Sequence, residues 1–324
     1  MALLPAPQTR TVDAIYAWHE AADRDGFRPH LGASLVGLRC DRALWYSFRW
    51  VVRAVRTGRI LRLFETGNLE EKRLVTELRR IGVTILDIDP ATGRQWRLQA
   101  LGGHFGGSVD AVGVGFPEAP KTWHIVEFKT HNSKSFADLR ANGVEAAKYQ
   151  HWAQVQVYMY LAGLDRAMYL AVCKNDDALY QERIRLDTEA AKLFITRAER
   201  VIDATAPPDR ISEDPDSRLG CRWCGYRGVC HFDAQPLLNC RTCRHSSPIA
   251  NGEWHCARWN KTLSLDEQRQ GCPSHLYLSS FVPARRSPPT LGALGSTIGC
   301  LTGASGATRA RGHDRPLQLS ARRR

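Results

Sequence analysis

Asp110, Glu127 and Lys129 are the residues in this chain whose types and spacing best suit hydrolytic chemistry at a phosphate. Glu127 and Lys129 stand two apart in TWHIVEFKT. On a strand, both side chains leave one face while Val126 and Phe128 take the other. Asp110 ends the flexible run GGHFGGSVD, and an antiparallel meander brings it beside Glu127. Two carboxylates about one metal diameter apart repel each other unless a divalent cation lies between them, and hard oxygen donors select Mg²⁺ or Mn²⁺. Such a cation lowers the pKa of a bound water and stabilises charge on a scissile phosphate. Lys129 would orient or help deprotonate that water. A lone Asp with a Glu-x-Lys is also the pattern of an exposed salt bridge, so the weight falls on its companions.

The first companion is YQHWAQVQVYMYLAG, where Gln154 and Tyr158 lie four apart and share a helical face. An amide and a phenol at one edge hold water or phosphate without adding charge. Gln156 and Tyr160 repeat the spacing and leave the register open by two. The second is RLFETGNLEEKRL, where Gly67 permits close approach and Glu70 or Glu71 adds a carboxylate to the metal site.

The elements that must position these groups follow from periodicity. Residues 13–80 read as mainly helical, with apolar positions recurring at three and four, including Leu61, Phe64, Leu69, Leu74 and Leu78. Ser34 is the expected N-cap of a helix carrying Cys40. VTILDID, RQWRLQAL, GGSVDAVGVG and TWHIVEFKT read as four strands. A helix over 144–162, strands AMYLAVCKN and LYQERIRLD, and a helix over 188–204 follow, ending at Pro207-Pro208. This order predicts an α/β fold, a mixed central sheet flanked by helices.

Ten cysteines in a chain without a secretion signal read as metal ligands rather than disulfides. Cys240-x2-Cys243-x12-Cys256-x15-Cys272 predicts a zinc-ribbon-like module with a closed structural Zn²⁺ site, and His245, His255 or His275 lie near enough to replace one thiolate. Cys221-x2-Cys224-x5-Cys230 forms a second group, Cys173 reads as a small buried residue, and Cys300 as incidental. The charge of +12 favours a polyanionic partner, but eight arginines against Asp314 put +7 of it in residues 281–324, a stretch rich in Ser, Gly and Pro that reads as disordered. No run approaches the roughly 18 apolar residues of a membrane helix, and a cytoplasmic location is expected.

Gly67-x3-Glu71, Gly107-Ser108-Val109-Asp110, Glu127-Phe128-Lys129 and Gln154-x3-Tyr158 stand in the order found in the RecB-like and lambda-exonuclease-like branch of the PD-(D/E)XK superfamily, which this chain resembles. It is also similar to phage-encoded exonucleases of that branch. The resemblance implies a restriction-endonuclease-like core. It implies metal binding by Asp110 and Glu127, action of Lys129 on the attacking water, and substrate positioning by Gln154 and Tyr158. Glu71 stands where many RecB-like members have His. A subset, including CRISPR-associated RecB-like exonucleases and AddB, binds a [4Fe-4S] cluster through one Cys ahead of the core and three after it. Cys40, Cys221, Cys224 and Cys230 match that arrangement, with zinc the alternative occupant. The resemblance spans 28–232. The expected organisation is an N-terminal extension (1–26), a nuclease domain (27–235), the Cys-rich module (236–278) and a basic tail (279–324). The expected activity is metal-dependent DNA exonuclease action in phage or bacterial recombination, repair or end-processing, with DNA and a recombination protein as partners and oligomerisation left open. Two other readings stay open: a catalytically silent DNA-binding or assembly module, and an iron-sulfur redox protein, for which no GxGxxG nucleotide site is present.

Overall fold

The computed structural model describes residues 10–23 and 26–282. Cys300, nearly all of the basic tail and the first nine residues lie outside the described residues. The elements run α1 (Arg10–Ala22), β1 (Leu31–Gly32), α2 (Asp41–Phe48), α3 (Gly58–Arg80), β2 (Thr84–Leu86), β3 (Arg97–Ala100), β4 (Phe105–Ser108), β5 (Ala111–Val114) and β6 (His124–His131). There follow α4 (Ser133–Ala147), α5 (Tyr149–Ala162), β7 (Arg166–Cys173), β8 (Leu179–Arg185) and α6 (Thr188–Asp203). The Cys-rich segment adds α7 (Arg227–His231), β9 (Ser246–Pro248), β10 (Trp254–Cys256), β11 (Lys261–Leu263) and α8 (Leu265–Gln270).

The central sheet has the order β2-β5-β6-β7-β8. Neighbours are antiparallel except β6 and β7, which run parallel. Parallel neighbours need a long crossover, and α4 with α5 supplies it. β6 and β7 are buried on both faces, which is why HIVEF and AMYLAVC read as nearly continuous apolar runs. One face carries Val126, Phe128, Met168 and Leu170 against Leu74, Val75 and Leu78 of α3. Ile125, Tyr169 and Ala171 belong to the larger core shared with α5 and α6. Among the described residues no helix is long and apolar enough to cross a membrane.

Three local expectations change. GGSVDAVGVG is two strands in two sheets, because β4 pairs with β1 and β3 while β5 joins the central sheet, and Asp110 sits at the bend between them. Ser34 lies in a 3₁₀ turn with its hydroxyl bonded to Arg28 at 3.0 Å, and Cys40 itself occupies the N-cap position of α2. The expected helix over 144–162 starts at Tyr149, and α4 precedes it: Asn132 caps α4 through Ser135 N at 2.8 Å, and Gly143 at φ 72° interrupts it.

Residues 239–278 share the main core with the helical part: Trp254, Cys240, Cys256 and Leu263 belong to the same buried cluster as Trp45 and Phe48. Arg241 pins the two together. Its guanidinium donates to Phe48 O (3.1 Å), Pro29 O (2.9 Å) and Gln268 Oε1 (2.9 Å), and lies 3.6 Å from the centre of the Trp50 ring.

Candidate active site

Ala111 faces Val126 across the β5–β6 ladder, so the next step outward sets Asp110 opposite Glu127. Asp110 Oδ2 accepts from Phe128 N at 2.9 Å, which ties the bend to the strand. Glu127 is fully buried. Its Oε1 accepts from Lys129 Nζ and from Gln154 Nε2 at 2.8 Å, while its Oε2 is buried with no hydrogen-bond partner. Gln154 Nε2 also reaches the Tyr158 hydroxyl at 3.4 Å. Tyr158 lies hard against β4: a Cβ at Gly107 would stand 2.3 Å from its hydroxyl, so the Gly of Gly-Ser-Val-Asp makes room for the phenol. These groups line a cavity of about 510 Å³ together with Arg28, His30 and His151.

Electrostatics bind the carboxylates into one unit. Burial, then the Asp110 charge, push Glu127 up to about 7 against the opposing pull of Lys129. Burial, then Asp110, push Glu71 up to about 7 as well. Burial raises Asp110, with Lys129 and the Phe128 amide acting in the other direction. Burial alone would lower Lys129, but the surrounding Glu127, Asp110 and Glu71 reverse this and hold its ammonium above the ordinary value. Three carboxylates reluctant to ionise together are a set that a divalent cation relieves.

The register left open on α5 is decided by hydrogen bonds. Gln156 is spent on Arg185 O (2.9 Å) and Asp187 N (2.8 Å), far from the carboxylates in role, so Gln154 and Tyr158 face the site and Gln156 with Tyr160 does not. On α3, Glu70 pairs with Arg73 at 3.4 Å, and Glu71 is the acid coupled to Asp110. The expectation for Gly67 fails: a Cβ there would meet nothing within 4 Å, so no close approach requires it.

His151 was not anticipated. Its Nδ1 lies 2.8 Å from Tyr169 Oη, which lies 3.0 Å from His131 Nε2, whose Nδ1 lies 3.0 Å from Ser135 Oγ. Burial first, then nearby cations, push His151 down to about 3 and His131 down to about 4, so both rings are neutral beneath the site. His151 stands three residues before Gln154, a helical spacing that carries the signal. Arg28 and His30 come from the chain around β1 and have no such pattern.

A sequence profile described as PD-(D/E)XK nuclease superfamily matches residues 5–231. The chain belongs to the PD-(D/E)XK nuclease superfamily. Among solved structures, the one titled SSO0001 is similar at 14% identity and TM-score 0.42, over 69% of this chain and 97% of that one. An alkaline exonuclease, LHK-Exo, from Laribacter hongkongensis is similar at 15% identity and TM-score 0.40, over 57% of this chain and 90% of that one. Its complex with dAMP gives 14% and 0.39, over 58% and 89%. No curated protein matches the chain.

PD-(D/E)XK nucleases use divalent metals such as Mg²⁺ or Mn²⁺, and the orphaned Oε2 of Glu127, an acid that Asp110 acts on, fits that requirement. Among the described residues no three His, Cys, Asp or Glu side chains stand as a ready metal cage. The nine described cysteines are all free thiols. Eight of the nine act on one another electrostatically within two sets, Cys173 standing apart. Cys221 is raised by burial and then by Cys40, Cys230 and Cys224, and these four thiols line one cavity. Cys240 is pushed up to about 11 by burial and then by Cys272, Cys243 and Cys256, with no histidine among the causes. His275 Nε2 is instead 3.2 Å from Thr242 Oγ1. Cys173 is buried in β7.

Proposed function

We propose that this nuclease is a deoxyribonuclease hydrolysing DNA from its ends, with Mg²⁺ or Mn²⁺ held by Asp110, Glu127 and Glu71. The observation that carries the reading is the buried, unpartnered Glu127 Oε2 in a residue that lines one cavity with Asp110 and Lys129. When bound, the cation supplies a water of lowered pKa and offsets charge on the scissile phosphate. Lys129, kept protonated by its carboxylate neighbours, neutralises developing phosphate charge and orients the attacking water rather than removing its proton. Gln154 fixes Glu127 Oε1, so that Oε2 is the oxygen left for the metal. Tyr158 presents a neutral hydroxyl to substrate, because burial and Glu127 hold its phenol above the ordinary value. End-directed action rests on the motif order shared with the RecB-like and lambda-exonuclease-like branch. A role in bacterial or phage recombination or end-processing, beside a recombination protein in the cytoplasm, belongs to the same reading.

Within it, Cys40, Cys221, Cys224 and Cys230 hold a [4Fe-4S] cluster that closes the start of α2 onto the segment after α6, and Cys240, Cys243, Cys256 and Cys272 hold Zn²⁺. Residue type and mutual influence support this: each set supplies four thiols, and the charges of its members act on one another. Protein purified without oxygen is expected to contain about four irons and one zinc per chain.

The test is cleavage of linear and closed circular DNA with Mg²⁺ or Mn²⁺. Asp110→Asn and Lys129→Ala should each lower kcat by about 10²-fold or more while remaining folded. Full activity in either variant removes the proposed centre, and equal cleavage of closed circles removes end-directed action.

A further inference from the structure

Water that attacks a phosphodiester forms a bond from its oxygen to phosphorus while the bond to the leaving sugar oxygen breaks, and it must give up a proton. Lys129 is ion-paired to Glu127, and an ammonium carries no lone pair to take that proton. Two imidazoles line the carboxylate cavity, His30 and His151. His30 Nδ1 lies 3.5 Å from the Arg97 guanidinium and leads no further into the protein. His151 opens a path. Its Nδ1 lies 2.8 Å from the Tyr169 hydroxyl, the hydroxyl lies 3.0 Å from His131 Nε2, and His131 Nδ1 lies 3.0 Å from Ser135 Oγ. Each step is short enough for a proton to pass directly between heavy atoms. The other ring nitrogen, His151 Nε2, has no hydrogen-bond partner among the described residues. Tyr169 and His131 are buried, while Ser135, in the first turn of α4, is only half-buried. One line of bonds thus runs from the cavity, through the interior, to solvent.

A tyrosine hydroxyl has a single proton, so it donates to one of the two rings and accepts from the other. With both rings neutral, each carries its hydrogen on the same nitrogen: Nδ1 in one state of the line, Nε2 in the other. The two states differ by one proton moved along the whole line.

We propose that this line is the exit for the hydrolytic proton, with His151 Nε2 as its acceptor and Tyr169, His131 and Ser135 as the relay. As Nε2 takes the proton, the Nδ1 hydrogen passes to Tyr169, the Tyr169 hydrogen to His131 Nε2, and the His131 Nδ1 hydrogen to Ser135, which releases one proton to solvent. One proton enters and one leaves, and neither ring has to persist as a cation. The leaving sugar oxygen takes its proton from solvent. Once product has gone, water in the cavity takes the Nε2 proton and the reverse shift restores the first state. The proposal rests on the nuclease reading, which supplies the proton to be carried.

Two measurements test it on the full chain purified without oxygen. In metal-free protein with ¹⁵N-labelled histidine, NMR at about pH 7 should find His151 and His131 neutral and in the same tautomer, the two assigned with His151→Gln and His131→Gln. Single-turnover cleavage of linear DNA with Mg²⁺ in mixtures of H₂O and D₂O should slow along a bowed curve in the wild type, because several protons move in one step. Tyr169→Phe keeps the ring that fills the core and removes the link. With its melting curve showing it folded, it should cut on the order of 10²-fold more slowly, and its isotope curve should become straight. A Tyr169 hydroxyl that only braced the two rings would leave the wild-type curve straight. That straight line, opposite tautomers in the two rings, or a folded Tyr169→Phe cutting at the parent rate each overturns the proposal in a chain that cuts DNA. A wild type that cuts no DNA instead removes the nuclease reading, and the proton with it.

Discussion

Glu127 holds the main electrostatic tension of the site, since a fully buried acid faces Asp110 with only Lys129 and Gln154 to support it. Its carboxyl sits at about 7 in the fold against 4.5 in the open chain. A raised acid favours the fold in its protonated form, so the contribution is complete below about 4.5 and is lost as pH rises through about 7. Glutamine mimics the protonated acid and has no such loss. In metal-free protein, Glu127→Gln should therefore gain stability relative to wild type between about pH 5 and about pH 8, on the order of 1–3 kcal/mol, while activity disappears. Melting temperatures at the two pH values decide it, and a relative gain that shrinks toward high pH refutes the picture. The convergence of Asp110, Glu127 and Lys129 is legible in the sequence because strand alternation and an antiparallel partner leave few arrangements. Which of Gln154 or Gln156, and which of Glu70 or Glu71, faces the site was not legible, because β8, α6 and Arg73 claim the others. His151 escaped because its role is set by Tyr169 on β7, remote in sequence.

At the scale of elements, the site exists because β4 and β5 part at Asp110 while α5 lies close over both sheets. Gly107 sets that closeness. A methyl there would stand 2.3 Å from the Tyr158 hydroxyl and 3.1 Å from its ring carbon Cζ. Gly107→Ala should push Tyr158 off Gln154, costing about 1–3 kcal/mol in stability and lowering kcat. Removing the colliding hydroxyl relieves the closest contact, so Gly107→Ala with Tyr158→Phe should lose less than the two single changes add up to. Denaturant unfolding and steady-state kinetics on the four proteins give the cycle, and strict additivity counts against this account. The strands and α5 were readable from period and length. The split of GGSVDAVGVG was not, because alternation continues through a bend that only the second sheet reveals. The helix α4 was missed because SKSFADLRANG has few apolar positions; Asn132 starts it, and Glu182 on β8 holds its broken end through Val144 N at 2.8 Å. Phe64 and Leu69, apolar positions at helical spacing on α3, remain exposed.

At the scale of the whole molecule, the Cys-rich segment and the nuclease core are joined by a charge with no carboxylate to answer it among the described residues. Burial, then Arg49 and Arg269, push the Arg241 guanidinium well below its ordinary value. What keeps it inside is a fork of donors matched to Phe48 O, Pro29 O and Gln268, and the faces of Trp50 and Trp254 at 3.6 and 4.6 Å from its carbon. The carbonyls belong to the helical part and the glutamine to α8, so the residue is satisfied only when both parts are docked. Spacing alone presents residues 236–278 as a separate module, whereas this geometry predicts that they and α2 fold in one event. Wild-type protein should then unfold in urea as a single transition. Arg241→Ala, which strands buried carbonyls, should lower stability by about 3 kcal/mol. Arg241→Lys should recover little, since a point ammonium cannot reach both carbonyls and stack on the ring together. Two separate transitions in the wild type, or an Arg241→Ala protein as stable as its parent, would mean that the Cys-rich segment folds by itself and that the guanidinium only decorates the seam.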